Sequence, residues 1–187
     1  MPPEDSGWIV WRRCEYARDD PRDFRFKLYV SPMPEDLLTQ FTRIIDALGE
    51  TEACAVKLGD TAYGLLRPDK LVAYFRNSES LQAGADRLSP SLAGMVAHAV
   101  PFTASLRENG VLSWGVDPLT DGEGGFQRRQ SWRGWITRYL ARALIQARDT
   151  DSGEAPWLFA RNRLSLAGID PTTFAPPSPG WIGHESI

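Results

Sequence analysis

The chain has 187 residues, 42% of them hydrophobic, and a formal net charge of −3. That length and apolar share suit a core of one ordinary domain, while 24 acidic against 21 basic residues leave no generic basic surface for nucleic acid. The start, MPPEDSGW, is acidic and proline-containing where an export signal has a positive end and an apolar run. No stretch approaches the roughly 18 apolar residues of a membrane span, so an intracellular, cytoplasmic protein with no membrane attachment is expected. Two cysteines, Cys14 and Cys54, and two histidines, His98 and His184, give neither a disulfide framework nor a metal-ligand spacing.

Taken in chain order, Trp8 to Tyr16 mixes aromatic and β-branched residues and runs into the turn-rich ARDDPRD, predicting a strand and a loop. A second strand is predicted over Arg25 to Ser31. Its period of two puts Lys27, Tyr29 and Ser31 on one polar face and Phe26, Leu28 and Val30 on a buried one. Pro34 then opens a helix with Glu35 and Asp36 in its first turn; Leu37, Leu38, Phe41, Ile44, Ile45 and Leu48 fall on one side and Gly49 stops it. From Ala53 to Phe75 the pattern predicts two or three short antiparallel strands: Cys54 to Leu58, Ala62 to Leu66 and Lys70 to Phe75, with Arg67-Pro-Asp69 as a connection.

Farther on, Ser78 caps a predicted helix from Glu79 to Leu88, and Ser89-Pro90 opens another that runs through His98. A strand follows at Gly110 to Trp114, then a glycine loop at Asp121 to Gly125. Trp132, Trp135, Ile136, Tyr139, Leu140, Ala143, Leu144 and Ala147 mark a long amphipathic helix. The expected architecture is α+β: a mainly antiparallel sheet with helices packed on one side. Residues 1–170 form a single domain and 171–187 a proline-rich, extended C-terminal tail.

The chain lacks a Walker loop, a nucleophile elbow and a G-x-G-x-x-G turn, so nucleotide and serine-hydrolase readings have no support. Lysine usage is more informative. Only Lys27, Lys57 and Lys70 occur, against 18 arginines, a bias that makes each lysine a candidate for chemistry arginine cannot perform. Each lies on a predicted strand, and Arg67 precedes the third. Cations converging on one sheet face bind a phosphate dianion through charge-assisted hydrogen bonds, and a lysine that has shed its proton beside a bound phosphate is a usable general base.

Phe26-Lys-Leu-Tyr-Val-Ser31 resembles the lysine-x-histidine-x-serine strand of the phosphothreonine lyases, a family that includes bacterial effectors and the lyase domains of lanthipeptide synthesis. In the same order, Val56-Lys57-Leu58 resembles the family's Phe-Lys strand, and Arg67-Pro-Asp-Lys70-Leu-Val-Ala-Tyr its arginine, short-turn, lysine-aromatic strand. Val100-Pro-Phe-Thr103 falls where lanthipeptide lyases carry a Gly-Pro-Tyr segment. The resemblance spans residues 24–115 and implies a cofactor-free β-elimination of phosphate from a phosphoserine or phosphothreonine residue. It implies Lys57 as the base, Arg67 as a phosphate ligand, and Lys27 and Lys70 as site cations. Tyr29 stands where the family has its acid histidine, which leaves two routes: its hydroxyl protonates the departing phosphate, or the phosphate leaves as a stabilised anion without that help.

A second phosphate ligand is expected from Arg107, Arg128, Arg129 or Arg133, with Arg129 favoured. The implied partners are a phosphorylated precursor peptide and a separate kinase acting in trans, with no metal or other cofactor and no nucleic acid. One alternative is a catalytically silent relative that binds a phosphorylated or acidic peptide or recruits a partner enzyme, a reading that Tyr29 favours; the second is a host-directed effector with the same elimination chemistry.

Overall fold

The computed structural model describes residues 7–19, 24–118, 130–149 and 153–176. They fall into two compact units, one of residues up to Pro101 together with Ser105–Trp114, the other of Phe102–Ala104 and everything from Gly115 onward. The class is α+β, and its strands follow the order β1-β3-β4-β2-β6-β5 in one six-stranded sheet.

In the first unit, β1 (Trp8–Arg12) pairs antiparallel with β3 (Ala55–Gly59), β3 with β4 (Leu71–Phe75), and β4 with β2 (Phe26–Val30). Helix α1 (Pro34–Gly49) has its predicted bounds, with Pro34 at the first position and Glu35 and Asp36 at the positive end of the helix. It buries Leu37, Ile44, Ala47 and Leu48. Leu38, counted on that stripe from the sequence, is 66% exposed, one residue off the buried face.

Helix α3 (Ser78–Leu88) is capped by Asn77, whose side chain accepts from the Ser80 N–H at 2.8 Å; Ser78, expected as the cap, is its first residue. Gly84 sits directly on Phe75, where a Cβ would lie 2.7 Å from the ring. Contact through Phe75 places α3 on the sheet face that also carries Leu28, Val30 and Leu71, all fully buried with Leu81, Ala85 and Leu88 of α3 itself. Each such large side chain contributes about 1.5–3 kcal/mol on burial, and this face is the core of the unit.

Two expectations are corrected. Ala62 to Leu66 is not a strand: Ala62–Leu65 forms a single helical turn, α2, because Thr61 accepts from the Gly64 N–H at 3.0 Å and caps it. Ser89-Pro90 does not open a helix through His98. It starts a 3-10 turn that ends at Leu92, after which Gly94 takes φ 78° and the chain runs extended to pair Ala97 with Pro32. Two backbone bonds of 2.8 Å, Met33 N–H to Val96 O and His98 N–H to Ser31 O, hold that pairing.

The strand predicted at Gly110 to Trp114 is β6 (Leu112–Val116), next to the two-residue β5 (Ala104–Ser105). The second unit is built on α4 (Trp132–Asp149), the predicted tryptophan helix, and on α5 (Pro156–Leu166), which the sequence pattern did not reveal. Trp132, Trp135, Ile136, Tyr139, Leu164 and Ile169 form its core. Asp117 accepts from the Trp132 N–H at 2.8 Å, and Trp132 Nε1 donates to Phe102 O at 2.9 Å. The Asp121 to Gly125 loop and the tail beyond residue 176 lie outside the described residues. Among the described residues no helix is long and apolar enough to cross a membrane, and no three His, Cys, Asp or Glu side chains group to hold a metal ion.

Candidate functional site

Strand register fixes which side chains share a face, because directly opposed residues in an antiparallel pair point the same way and the period along each strand is two. Val10, Lys57, Val72 and Tyr29 form one row across β1, β3, β4 and β2. Arg12, Ala55, Tyr74 and Lys27 form the next. Lys70 immediately precedes β4, where its carbonyl accepts from the Gly59 N–H at 2.9 Å, and by the same alternation it joins Lys57 and Lys27 on this face. All three lysines and Tyr29 therefore occupy the sheet face opposite the α3-packed core.

The sequence pattern made this a polar face; much of it is buried. Lys27 is 6% exposed, Tyr29 4% and Tyr74 6%, and Tyr29 and Tyr74 cluster with Phe24, Cys54, Ala55, Val72 and Val100. Lys57 is half-buried. The ammonium groups of Lys27 and Lys57 each lie 5.4 Å from the centroid of the Tyr74 ring, so the same aromatic side chain engages both cations by cation–π attraction, Lys27 from β2 and Lys57 from β3. Lys57 and Tyr29 flank Val72 from either side, about 10 Å apart at the backbone, two strand spacings. In a partly desolvated site of this kind, two ammonium groups attract an anion far more strongly than they do at an open surface.

Lys70 is fully buried and already committed. Its Nζ donates to Pro32 O at 2.8 Å and lies 3.0 Å from His98 Nδ1. Burial lowers its pKa from 10.5 to about 8, with Asp69 and Glu35 opposing the shift. His98 is likewise held below its ordinary value, first by burial and then by the Lys70 ammonium. Ser31, at the end of the same strand face, donates to Pro68 O at 2.6 Å and ties the 67–70 turn to β2.

Helix α2 bounds the face at this end. A Cβ on Gly59 would lie 2.5 Å from the backbone of Gly64, so α2 rests its backbone directly on β3, and only glycine at 59 allows it. The turn then delivers Arg67, which donates through Nε and Nη2 to the two Asp69 oxygens, each at 2.9 Å, and lies 5.0 Å from the Trp8 ring. That ion pair raises the Arg67 pKa. Arg67 thus stands beside the lysine face with Asp69 as its partner.

Arg128 and Arg129, the latter the favoured second phosphate ligand, lie outside the described residues, as does His184. Arg107 pairs with Asp86 and donates to Leu106 O at 2.8 Å. Arg133 lies in α4. Two residues of the face were not singled out from the sequence. Tyr74 was legible there, because counting by two from Lys70 reaches it. His98 was not, because its meeting with Lys70 depends on the pairing of Ala97 with Pro32.

Neither a protein-family model nor a curated protein matches the chain. Among solved structures, the effector protein from Pseudomonas syringae pv. tomato strain DC3000 is 19% identical, and the match covers 90% of this chain and 74% of that one with a TM-score of 0.53. A phosphothreonine lyase is 14% identical over 60% of this chain and 62% of its own, at a TM-score of 0.42. The phosphothreonine lyase effector VirA (SpvC) of Chromobacterium violaceum is 18% identical over 60% and 61%, at 0.41. At the backbone level, then, this chain shares its fold with the Pseudomonas syringae effector protein.

Proposed function

We propose that the chain is a phosphoserine or phosphothreonine lyase acting on a phosphorylated peptide, without cofactor. The observation that carries this reading is the single sheet face on which Lys27 and Lys57 both engage the Tyr74 ring, with Tyr29 across Val72. Lys57, as the free amine, takes the α-proton of the phosphorylated residue. The Cα–H electron pair becomes the Cα–Cβ double bond, the Cβ–O bond breaks, and its electrons leave with the phosphate. The Tyr29 hydroxyl gives its proton to the departing oxygen. The products are a dehydroamino acid and inorganic phosphate. Lys27 supplies the buried positive charge that holds the phosphate, and Arg67 approaches from the α2 end.

A precursor peptide of lanthipeptide type, phosphorylated by a separate kinase, is the substrate class this chemistry suits. Incubation with a phosphoserine or phosphothreonine peptide should release phosphate and lower the peptide mass by phosphoric acid, with no divalent ion added. Lys57→Arg should abolish turnover while keeping most of the affinity, since arginine preserves the charge and cannot serve as a neutral base. Turnover that survives Lys57→Ala would remove the elimination mechanism. The burial of Tyr29 in an aromatic cluster favours a second reading, a binding module for phosphorylated peptides; it predicts salt-sensitive phosphopeptide binding with no turnover in the wild type.

A further inference from the structure

Lys70 and His98 make a pair whose protons can be assigned. An ammonium has three protons and no lone pair, so Lys70 Nζ can only donate, and at 3.0 Å the His98 Nδ1 must accept. A second Nζ proton goes to Pro32 O at 2.8 Å, which fixes the ammonium in place. Neutral imidazole that accepts at Nδ1 carries its proton at Nε2. Among the described residues no group pairs with that Nε2. The ring is half-buried, and burial together with the Lys70 charge favours its neutral form, against the attraction of Glu35.

The position of the pair is equally defined. Lys70 immediately precedes β4, the central strand of the site, diagonal to Lys57 on one neighbour and to Tyr29 on the other, about 7–8 Å from each at the backbone. His98 is pinned through its own N–H to Ser31 O at 2.8 Å, and the next residue, Ala99, takes φ 59°. A non-glycine residue in the left-handed region costs on the order of 1 kcal/mol, and the surrounding contacts must hold it there.

We propose that His98 is a further ligand of the site, its Nε2–H donating to an oxygen of the substrate phosphate, and that Lys70 is a positioning residue which locks the ring in the donor tautomer. The proposal rests on the phosphopeptide reading above. It also gives the fully buried Lys70 a role that does not require its ammonium to reach the substrate.

Two variants separate the nitrogens. His98→Asn places an amide oxygen where Nδ1 was, so Lys70 keeps its acceptor while the Nε2 donor is lost. His98→Gln carries an amide N–H to the Nε2 position. Binding of one phosphothreonine peptide and its unphosphorylated form should be measured by calorimetry for wild type and both variants, with melting temperatures as the folding control. His98→Asn should weaken phosphopeptide binding by about 10-fold or more, the size of a hydrogen bond to a charged group, and His98→Gln should restore most of it. In parallel, nitrogen NMR of the wild type should show His98 protonated at Nε2 only, with that resonance moving when the phosphopeptide is added and staying still with the unphosphorylated one.

If the wild type binds the phosphopeptide while His98→Asn binds it equally well, or the Nε2 resonance does not move, His98 is no ligand and the phosphopeptide reading survives. If the wild type binds no phosphopeptide, both fall together. Binding without turnover removes the lyase and leaves the His98 assignment to be decided by the affinities. Should His98→Asn fail to fold, the wild-type NMR titration alone decides.

Discussion

Replacing Lys70 with methionine keeps a long apolar side chain and deletes a fully buried ammonium. The fall in its pKa from 10.5 to about 8 corresponds to on the order of 3 kcal/mol of unfavourable burial of the charged form. Between those two values the unfolded chain holds a proton that the folded chain has shed, so stability rises with pH. The gain is complete above about 10.5 and is lost as pH falls through about 8. Cys54 and Tyr16, whose pKa values are raised, contribute in the opposite direction, but they do so in both proteins and cancel in the difference.

At neutral pH the substitution relieves the buried charge yet leaves Pro32 O and His98 Nδ1 without their donor, each at about 1–3 kcal/mol. Those terms nearly offset each other, so the absolute change at one pH decides little and the slope decides everything. Urea unfolding followed by tryptophan fluorescence, from about pH 7 to about pH 10.5, should show wild-type stability climbing by on the order of 3 kcal/mol relative to Lys70→Met. Parallel pH profiles for the two proteins would refute the argument, for then Lys70 carries no burial penalty.

Three further outcomes are expected. Tyr29→Phe removes only a hydroxyl from the cluster and should slow elimination by about 10²- to 10⁴-fold in single-turnover phosphate release if the phenol is the acid; an unchanged rate makes Tyr29 a packing residue. Gly84→Ala gains about 1 kcal/mol of helix propensity but drives a methyl to 2.7 Å from the fully buried Phe75 ring, a clash of about 1–3 kcal/mol, so the melting temperature should fall and not rise. Asp117→Ala removes the acceptor for the Trp132 N–H at the start of α4 and should cost about 1 kcal/mol in denaturant unfolding, with Asp117→Asn recovering most of it.

The extent to which the sequence announced this structure depends on how local each signal was. Helix α1 was readable because Pro34, two first-turn acids and a 3.6-residue apolar repeat agree within one stretch of chain. Alternation sets Lys27, Tyr29 and Ser31 together along β2, but that Lys57 and Lys70 share their face follows from the register of β4 with β2 and β3. Residues 62–66 misled because a five-residue run carries no usable period, and the deciding feature, Thr61 as a cap, lies outside it. The helix drawn through His98 failed for a tertiary reason: the pairing of Ala97 with Pro32 draws the chain out after Leu92. Helix α5 escaped notice because Arg161, Asn162 and Arg163 interrupt its apolar residues, and only Ala160 and Leu164 are buried. The burial of Lys27 and Tyr29 could not be read from alternation, which ranks faces by polarity and says nothing of what lies across them.

The seat of Gly64 on Gly59 also has a mechanical meaning. Backbone resting on backbone has no side chain to flex between the parts, so α2 and β3 must move as one body. Lys57 lies two residues before one glycine and Arg67 three residues after the other. A load applied to the guanidinium is therefore transmitted to the strand that carries the amine with little slack. A side chain at position 59 would introduce a spring at that joint, loosening the spacing between amine and guanidinium before it unfolded anything.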